Sequence, residues 1–300
     1  MFFSFLIASK NEEIDIKNVI KSCLDQTFKD FEIIIVDDSL DNTKSIIQNY
    51  QSNKIKLIEG MNQGCCNARN LGIIKSIGDV IVFLTADTIL PNDYLAKILK
   101  HYKNGYDWVT VSSQVLNQQY IFPRFIEAQH KNDETKIKNF YTTQGYSVKK
   151  KAALDVNMIS GDVYPFNFCR DWTLGQKLEK KKYKKIHDKN ITVFHNSPYL
   201  LNDFWSVRKT RGLMSAYQPY FFFNKSIIYL FLKFTIKFVF SLLKIILLVP
   251  LIYNLLKISR YSDNKILNLF LFLPPYLIQE FAFSYGEFTG LLNIINRNKK

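Results

Sequence analysis

The chain has 300 residues, carries 40 Lys and Arg against 26 Asp and Glu for a formal net charge of +14, and is 15% aromatic. That length buries a full α/β core and leaves residues for an appendage. Its four cysteines form no C-x-x-C pair, which argues against a disulfide scaffold or a zinc site and for a reducing, cytoplasmic setting. The basic balance leaves nucleic acid, anionic lipid and phosphorylated substrates open. No nucleic-acid module is recognisable, so nucleic acid is not expected as a partner.

The opening stretch MFFSFLIASKNE lacks a basic n-region and a cleavage site, and reads as a core strand over residues 2–9, not a signal peptide. Ile14, Ile16, Val19, Ile20, Cys23 and Leu24 then recur at helical spacing. Within the stretch 31–43, residues 33–36 read as a second apolar strand, buried on both faces, that ends in Asp37, Asp38 and the turn 39–43. Ligands of open α/β sheets bind beyond the carboxyl ends of the strands. Two acids there can accept hydrogen bonds from a base or sugar, or help hold a cation. Asp38 and Ser39 equally suit capping of the next helix, over residues 45–49. With a third strand at 55–58, this alternation argues for a mostly parallel sheet.

Gly64, in NQGCCNARNLG, suits a turn into a helix whose first amides face phosphate. Arg69 and Asn70 lie one to two turns along, with a surface ion pair as the plainer use of Arg69. After Gly78-Asp79, residues 80–84 form a fourth strand that runs into Thr85-Ala86-Asp87-Thr88. Acidic ends on two strands of one sheet can cage a divalent cation carrying a diphosphate.

In this order the first strand with its Asn-Glu turn, VDDSLDNT, and NQGCCNARNLG leading to GDVIVFLTAD resemble the nucleotide-sugar domain of family 2, GT-A-type glycosyltransferases. The resemblance covers roughly residues 1–215 and implies an α/β, Rossmann-like GT-A fold, with a nucleotide-sugar half over 1–115 and an acceptor half over 116–215. It implies that Asp38 contacts the nucleobase with Asp37 beside it. Ala8, Glu12, Arg69 and Asp79 would border the donor, and Asp87 would bind the Mg²⁺ or Mn²⁺ that bridges its diphosphate. The family usually shows Asp-x-Asp after the fourth strand, whereas here Thr85 takes the first position. Asp87 keeps the last position, the one expected to touch the metal.

Residues 94–102 read as a helix, 108–115 as a strand and 144–148 as a strand entering the acceptor half. Residues 118–138 read as polar and irregular, the natural place for acceptor contacts. In FCRDWTLGQKL, Arg170-Asp171 stands where the family carries an acidic pair opening a helix near the acceptor. That implies Asp171 as the general base, with Arg170, Trp172 and Asp162 on the acceptor side. A carboxylate within hydrogen-bond reach of the acceptor hydroxyl takes its proton as the new bond forms. Without the family, Asp171 is an ordinary first-turn acid. The run KLEKKKYKK reads as a solvated helix end, or as a face for anionic lipid. His195 follows a short strand at 191–194; lone histidines are commonly structural, while the family places one at the metal or diphosphate. Arg208 and Arg211 would reach the phosphates as a flexible cover, with plain surface roles as the alternative.

Residues 226–256 are almost wholly apolar, broken by Lys233, Lys237 and Lys244, which fall on one stripe at about 100° per residue. That pattern fits a helix in the membrane interface with its lysines toward headgroups. Its rival is a buried or spanning helix with snorkelling lysines, kinked at Pro250. Residues 266–279 are apolar again, broken at Pro274-Pro275, and 281–292 continue as a mixed helix. Residues 220–300 are therefore expected as helices on the cytoplasmic face of the cell membrane, with a homodimer interface as the other use for this surface. The expected activity is transfer of a sugar, with inversion, from a nucleotide diphosphate to a hydroxyl of a lipid-linked or growing glycan. The alternatives are a polyprenyl-phosphate sugar synthase and a membrane-bound pseudoenzyme that binds a nucleotide sugar.

Overall fold

The structure is a computed structural model that describes residues 1–134, 144–159 and 171–298. Strands β1 (Phe3–Ser9), β2 (Phe31–Asp37), β3 (Ile55–Glu59) and β4 (Val80–Leu84) form its parallel half, β1 lying between β2 and β4. Successive side chains on a strand face opposite ways. Phe5, Ile7, Ile33, Ile35 and Val82 therefore join one core, and Leu6, Ile34, Val36 and Phe83 another. Helices α1 (Ile16–Leu24) and α2 (Thr43–Gln48) cover the first face, and α3 (Cys65–Lys75) covers the second.

Beyond β4 come β5 (Thr88–Ile89), α4 (Tyr94–Lys103), β6 (Trp108–Val115) and α5 (Ile121–Glu134). They are followed by β7 (Tyr146–Lys149), α6 (Lys150–Asp155), α7 (Asp171–Lys180) and β8 (Lys185–His195). The eight strands form one sheet in the order β3-β2-β1-β4-β7-β6-β8-β5. β7 runs antiparallel to both β4 and β6, and β5 antiparallel to β8.

The chain divides into two units, residues 1–114 with 139–196, and 115–138 with 197–300. Besides α5, the second contains α8 (Leu201–Phe223), α9 (Ile227–Leu247), α10 (Val249–Ser259), α11 (Lys265–Leu271) and α12 (Leu273–Asn298). The stretch expected to be irregular over 118–138 is in large part the helix α5. Phe125, Ile126 and Ala128 bury one side of it among Phe204, Leu255 and Phe272, partners too remote in sequence for local pattern to reveal.

The division also departs from the boundary expected near 215–220, because α8 packs along α12. A Cβ on Gly212 would lie 2.0 Å from the Phe283 carbonyl oxygen, and one on Gly286 2.0 Å from that of Lys209. Gly290 closes on Ala216 in the same way. Small residues four apart on both helices let the backbones touch.

Of the lysines expected to face outward along α9, Lys237 turns to a partner on α12. Lys237 Nζ lies 2.8 Å from Oε1 of Glu287 on α12, a residue 1% exposed, and Ser215 donates to the same oxygen. The outer surface of α9 is instead apolar, with Ile228, Ile236, Phe240 and Ile246 all exposed. Pro250 opens α10 after a break at Leu248, whose φ is 54°, and Pro274-Pro275 lie in the first turn of α12. Each proline starts a helix, where its missing N–H is not needed. Among the described residues no single helix is long and apolar enough to cross a membrane. The bent pair Lys265–Leu271 and Leu273–Arg297, turned by 43°, meets that test by length and composition.

Gly286→Val is expected to force α8 and α12 apart and to cost about 1–3 kcal/mol, or more. The check is the thermal midpoint of the full chain in detergent, where an unchanged value would refute the contact.

Candidate active site

Strand register builds the site. Ser9 pairs with Asp37, and Ile7 lies between Ile35 and Leu84, so the chain leaves β1, β2 and β4 at one edge of the sheet. Asp37 is 5% exposed, and its Oδ1 accepts the hydroxyls of Ser9 and Ser39, both at 2.6 Å. Around it the loops after β1 and β2 are laced together. Asn11 N–H donates to Ser39 Oγ, Leu40 N–H to Asn11 Oδ1, and Glu12 N–H to Thr43 Oγ1. Ala8 precedes Ser9 on β1, beside this crossing.

Asp38 points the other way. Its Oδ1 accepts the Asn62 amide at 2.8 Å, and its carboxylate packs on Gly60, where an added Cβ would come 2.1 Å from Oδ1. It lines a cavity of about 220 Å³ together with Gln63, Asn67, Asn70 and Leu71. Gly64, at φ 91°, makes the turn into α3 that a residue with a Cβ would resist. Arg69 is buried on α3, not a surface residue. Asn70 clamps Ile159 through both backbone groups, its Nδ2 donating to the carbonyl and its Oδ1 accepting the amide.

At the end of β4, Thr85 Oγ1 donates to Asp87 Oδ1 at 2.5 Å. Thr88 pairs with His195 across β5 and β8, which brings His195 Nδ1 to 3.8 Å from Asp87 Oδ2. His195 is buried and its Nδ1 also lies 3.0 Å from the Asn196 carbonyl. Burial, reinforced by Asp87, Asp15 and Asp41, raises the Glu12 carboxyl to about 7. Among the described residues no cluster of three His, Cys, Asp or Glu forms a closed cage. Asp87 still fits an Mg²⁺-type ion, which takes one or two carboxylates and completes its shell from substrate phosphates and water, with His195 standing beside it. The surplus of carboxylates around Asp87 favours such a charge.

Not every expected residue gathers here. Asp79 precedes β4 at the opposite edge of the sheet, where its Oδ2 accepts the Phe2 amide at 2.9 Å. Asp171 and Trp172 open α7, but their side chains, with Asp162 and Arg170 entirely, lie outside the described residues. Arg208 and Arg211 belong to the second unit, on α8. Sequence reasoning missed the Thr85 tether and the Asn70 clamp. The Thr-x-Asp spacing was a signal for the first; the second joins residues 89 apart and leaves no local one.

Solved structures share this architecture at low identity. PcManGT, a mannosyltransferase from Pyrobaculum calidifontis solved with GDP-Man and Mn²⁺, gives a TM-score of 0.57 at 16% identity, over 75% of this chain and 64% of that one. Staphylococcus aureus TarS 1–349, solved with UDP, gives 0.53 at 15% identity over 96% and 90%. The fold is the Rossmann-like GT-A fold. The family described as glycosyl transferase family 2 matches residues 4–155, and the chain belongs to it.

Among curated relatives, it is 28% identical over 194 residues to the GalNAc(5)-diNAcBac-PP-undecaprenol beta-1,3-glucosyltransferase of Campylobacter jejuni, covering 61% of this chain and 62% of the relative. It is 29% identical over 139 residues to the Escherichia coli UDP-Glc:alpha-D-GlcNAc-diphosphoundecaprenol beta-1,3-glucosyltransferase WfgD, covering 45% and 55%. The chain thus spans less than two thirds of the length of either.

Two outcomes follow from this geometry. Glu12 folds more favourably protonated, so its contribution to stability is complete below about 4.5 and is lost as pH rises through about 7. In EDTA, Glu12→Gln should match the wild-type thermal midpoint near about pH 4 and exceed it near about pH 8.5; a constant difference would contradict the raised carboxyl. Gly60→Ala should displace the Asp38 carboxylate and weaken nucleotide binding by calorimetry, with little loss of the Asp87 metal response.

Proposed function

We propose that the chain transfers a sugar from a nucleotide-diphosphate donor to a hydroxyl of a lipid-linked or growing glycan, with inversion. One observation carries this reading: the Asp38 cavity and the Asp87–His195 pair occupy the same edge of the sheet, as base-binding and diphosphate-binding ends of one donor would require. Asp38 would accept hydrogen bonds from the nucleobase, while Arg69 and the start of α3 would border the donor. A bound Mg²⁺ or Mn²⁺ at Asp87 and His195 would offset the charge of the departing diphosphate. Thr85 would hold the Asp87 carboxylate in place. Asp171, at the start of α7, would remove the acceptor proton.

Two of the matched relatives are named for sugars on diphosphoundecaprenol, which supports a polyprenyl-linked acceptor here. The apolar outer faces of α9 and α11 support attachment of the second unit to the cytoplasmic leaflet.

The test is nucleotide diphosphate release from a panel of nucleotide sugars in detergent, with Mn²⁺, Mg²⁺ or EDTA. One donor should be consumed in a metal-dependent way, and Asp87→Ala should cut release by at least about a hundredfold. With a hydroxyl acceptor, Asp171→Asn should cost about 10²–10⁴ in rate; retention of rate would point to a lipid-phosphate acceptor, which needs little base catalysis. Donor binding without release on any acceptor would identify a pseudoenzyme.

A further inference from the structure

A second cavity, of about 270 Å³, is lined among the described residues by the helical unit alone. Its wall includes Arg208 and Arg211 of α8, Lys237 of α9, and Glu280 and Phe283 of α12. Arg208 is 3% exposed, yet its Nε and Nη2 have no hydrogen-bond partner among the described residues. Its guanidinium carbon lies 4.9 Å from the Phe204 ring, a favourable contact. Arg211 follows one turn later and is exposed. No ion pair joins either arginine to a carboxylate among the described residues. Asp133 and Glu280 also reach the wall, but Glu280 Oε2 is taken by the Ser241 hydroxyl and Asp133 Oδ1 by the Asn132 amide.

A buried guanidinium that no carboxylate pairs with directly is unfavourable. The Asp133 and Glu280 charges on the same wall offset it without pairing, and an apolar side chain of similar size would be at least as stable there. Burial, then the neighbouring charge of Arg211, lowers Arg208 to about 9. Lys237 does not relieve this: it is a third cation, and its own partner is Glu287. The missing element is an anion able to take several N–H donors at once, as phosphate oxygens do.

The surroundings narrow the anion's source. Ile236 and Phe240 on α9 and Phe281 on α12, near Lys237 and Glu280 in sequence, are exposed apolar side chains. A ligand seated here would carry its charge inward and an apolar chain across these residues. We propose that this cavity binds the diphosphate head of a polyprenyl-linked acceptor, with Arg208 and Arg211 as its phosphate ligands. The proposal rests on the lipid-linked acceptor reading above and replaces the expectation that these arginines cover the donor's diphosphate.

The test is calorimetric binding of farnesyl diphosphate, inorganic diphosphate and farnesol to the full chain in detergent. Farnesyl diphosphate should bind, inorganic diphosphate should compete more weakly, and farnesol should not displace it. Arg211→Gln, a change at an exposed position, should weaken binding at least about tenfold. Arg208→Met should abolish binding without lowering the thermal midpoint of the unliganded protein, because it removes an unpaired buried charge. Asp87→Ala should leave the binding intact. The proposal is overturned if Arg211→Gln binds like wild type or if inorganic diphosphate binds as tightly as the lipid. It is equally overturned if UDP with Mn²⁺ displaces farnesyl diphosphate, which would assign the arginines to the donor. Nucleotide diphosphate release measured on the same preparation separates the two readings. Release without lipid binding removes this site and leaves the transferase; lipid binding without release keeps the site and removes the transferase.

Discussion

A single buried carboxylate, Asp37, holds the working edge of the sheet together. Left without partners at 5% exposure it would be costly, and the hydroxyls of Ser9 and Ser39 meet that need from two different chain segments. Because one donor comes from the end of β1 and the other from the loop after β2, satisfying Asp37 brings those loops into register. Asn11 and Glu12 then bond to Ser39 and Thr43. Asp38 is left to face the opposite way, into its cavity. Asp37 thus serves the site by building it, and Asp38 by lining its cavity.

The same edge concentrates negative charge. Burial, reinforced by the charges of Asp87, Asp15 and Asp41, raises the Glu12 carboxyl to about 7. Thr85 in place of a further acid lowers that repulsion and supplies a hydrogen bond to Asp87. The departure from Asp-x-Asp therefore changes how Asp87 is held more than whether it is present. His195 reaches the same point from the far end of the chain's sheet, because β5 and β8 pair there.

The helical unit combines an apolar core with a few paired polar groups, the Lys237–Glu287 pair, the Ser241–Glu280 contact and the Asn293–Tyr217 bond, and it also carries large apolar side chains on its surface. Inside such a unit polar groups must find partners, and a second demand is that small residues let the helices come close. Gly212, Gly286 and Gly290 meet the second demand. Arg208 stands out against this pattern, since it is buried among paired groups and is itself unpaired.

Periodicity and punctuation in the sequence were enough for β1, β2, β4 and β6, for the helices between them and for the acids at the strand ends. Each of those depends on residues within a few positions of one another, so alternation and helical spacing carry them. Two-residue β5 and six-residue α6 are too short to leave a pattern. The nature of 118–138, the inward turn of Lys237 and the placing of Asp79 at the far edge were decided only by contacts between distant residues. Phe125 needs Phe272, Lys237 needs Glu287, and Asp79 needs Phe2. The sequence by itself determined which residues are acidic, apolar or small and how they are spaced. Only the tertiary structure decided which of them meet, because burial and pairing are properties of a fold's distant neighbours and not of any stretch of chain.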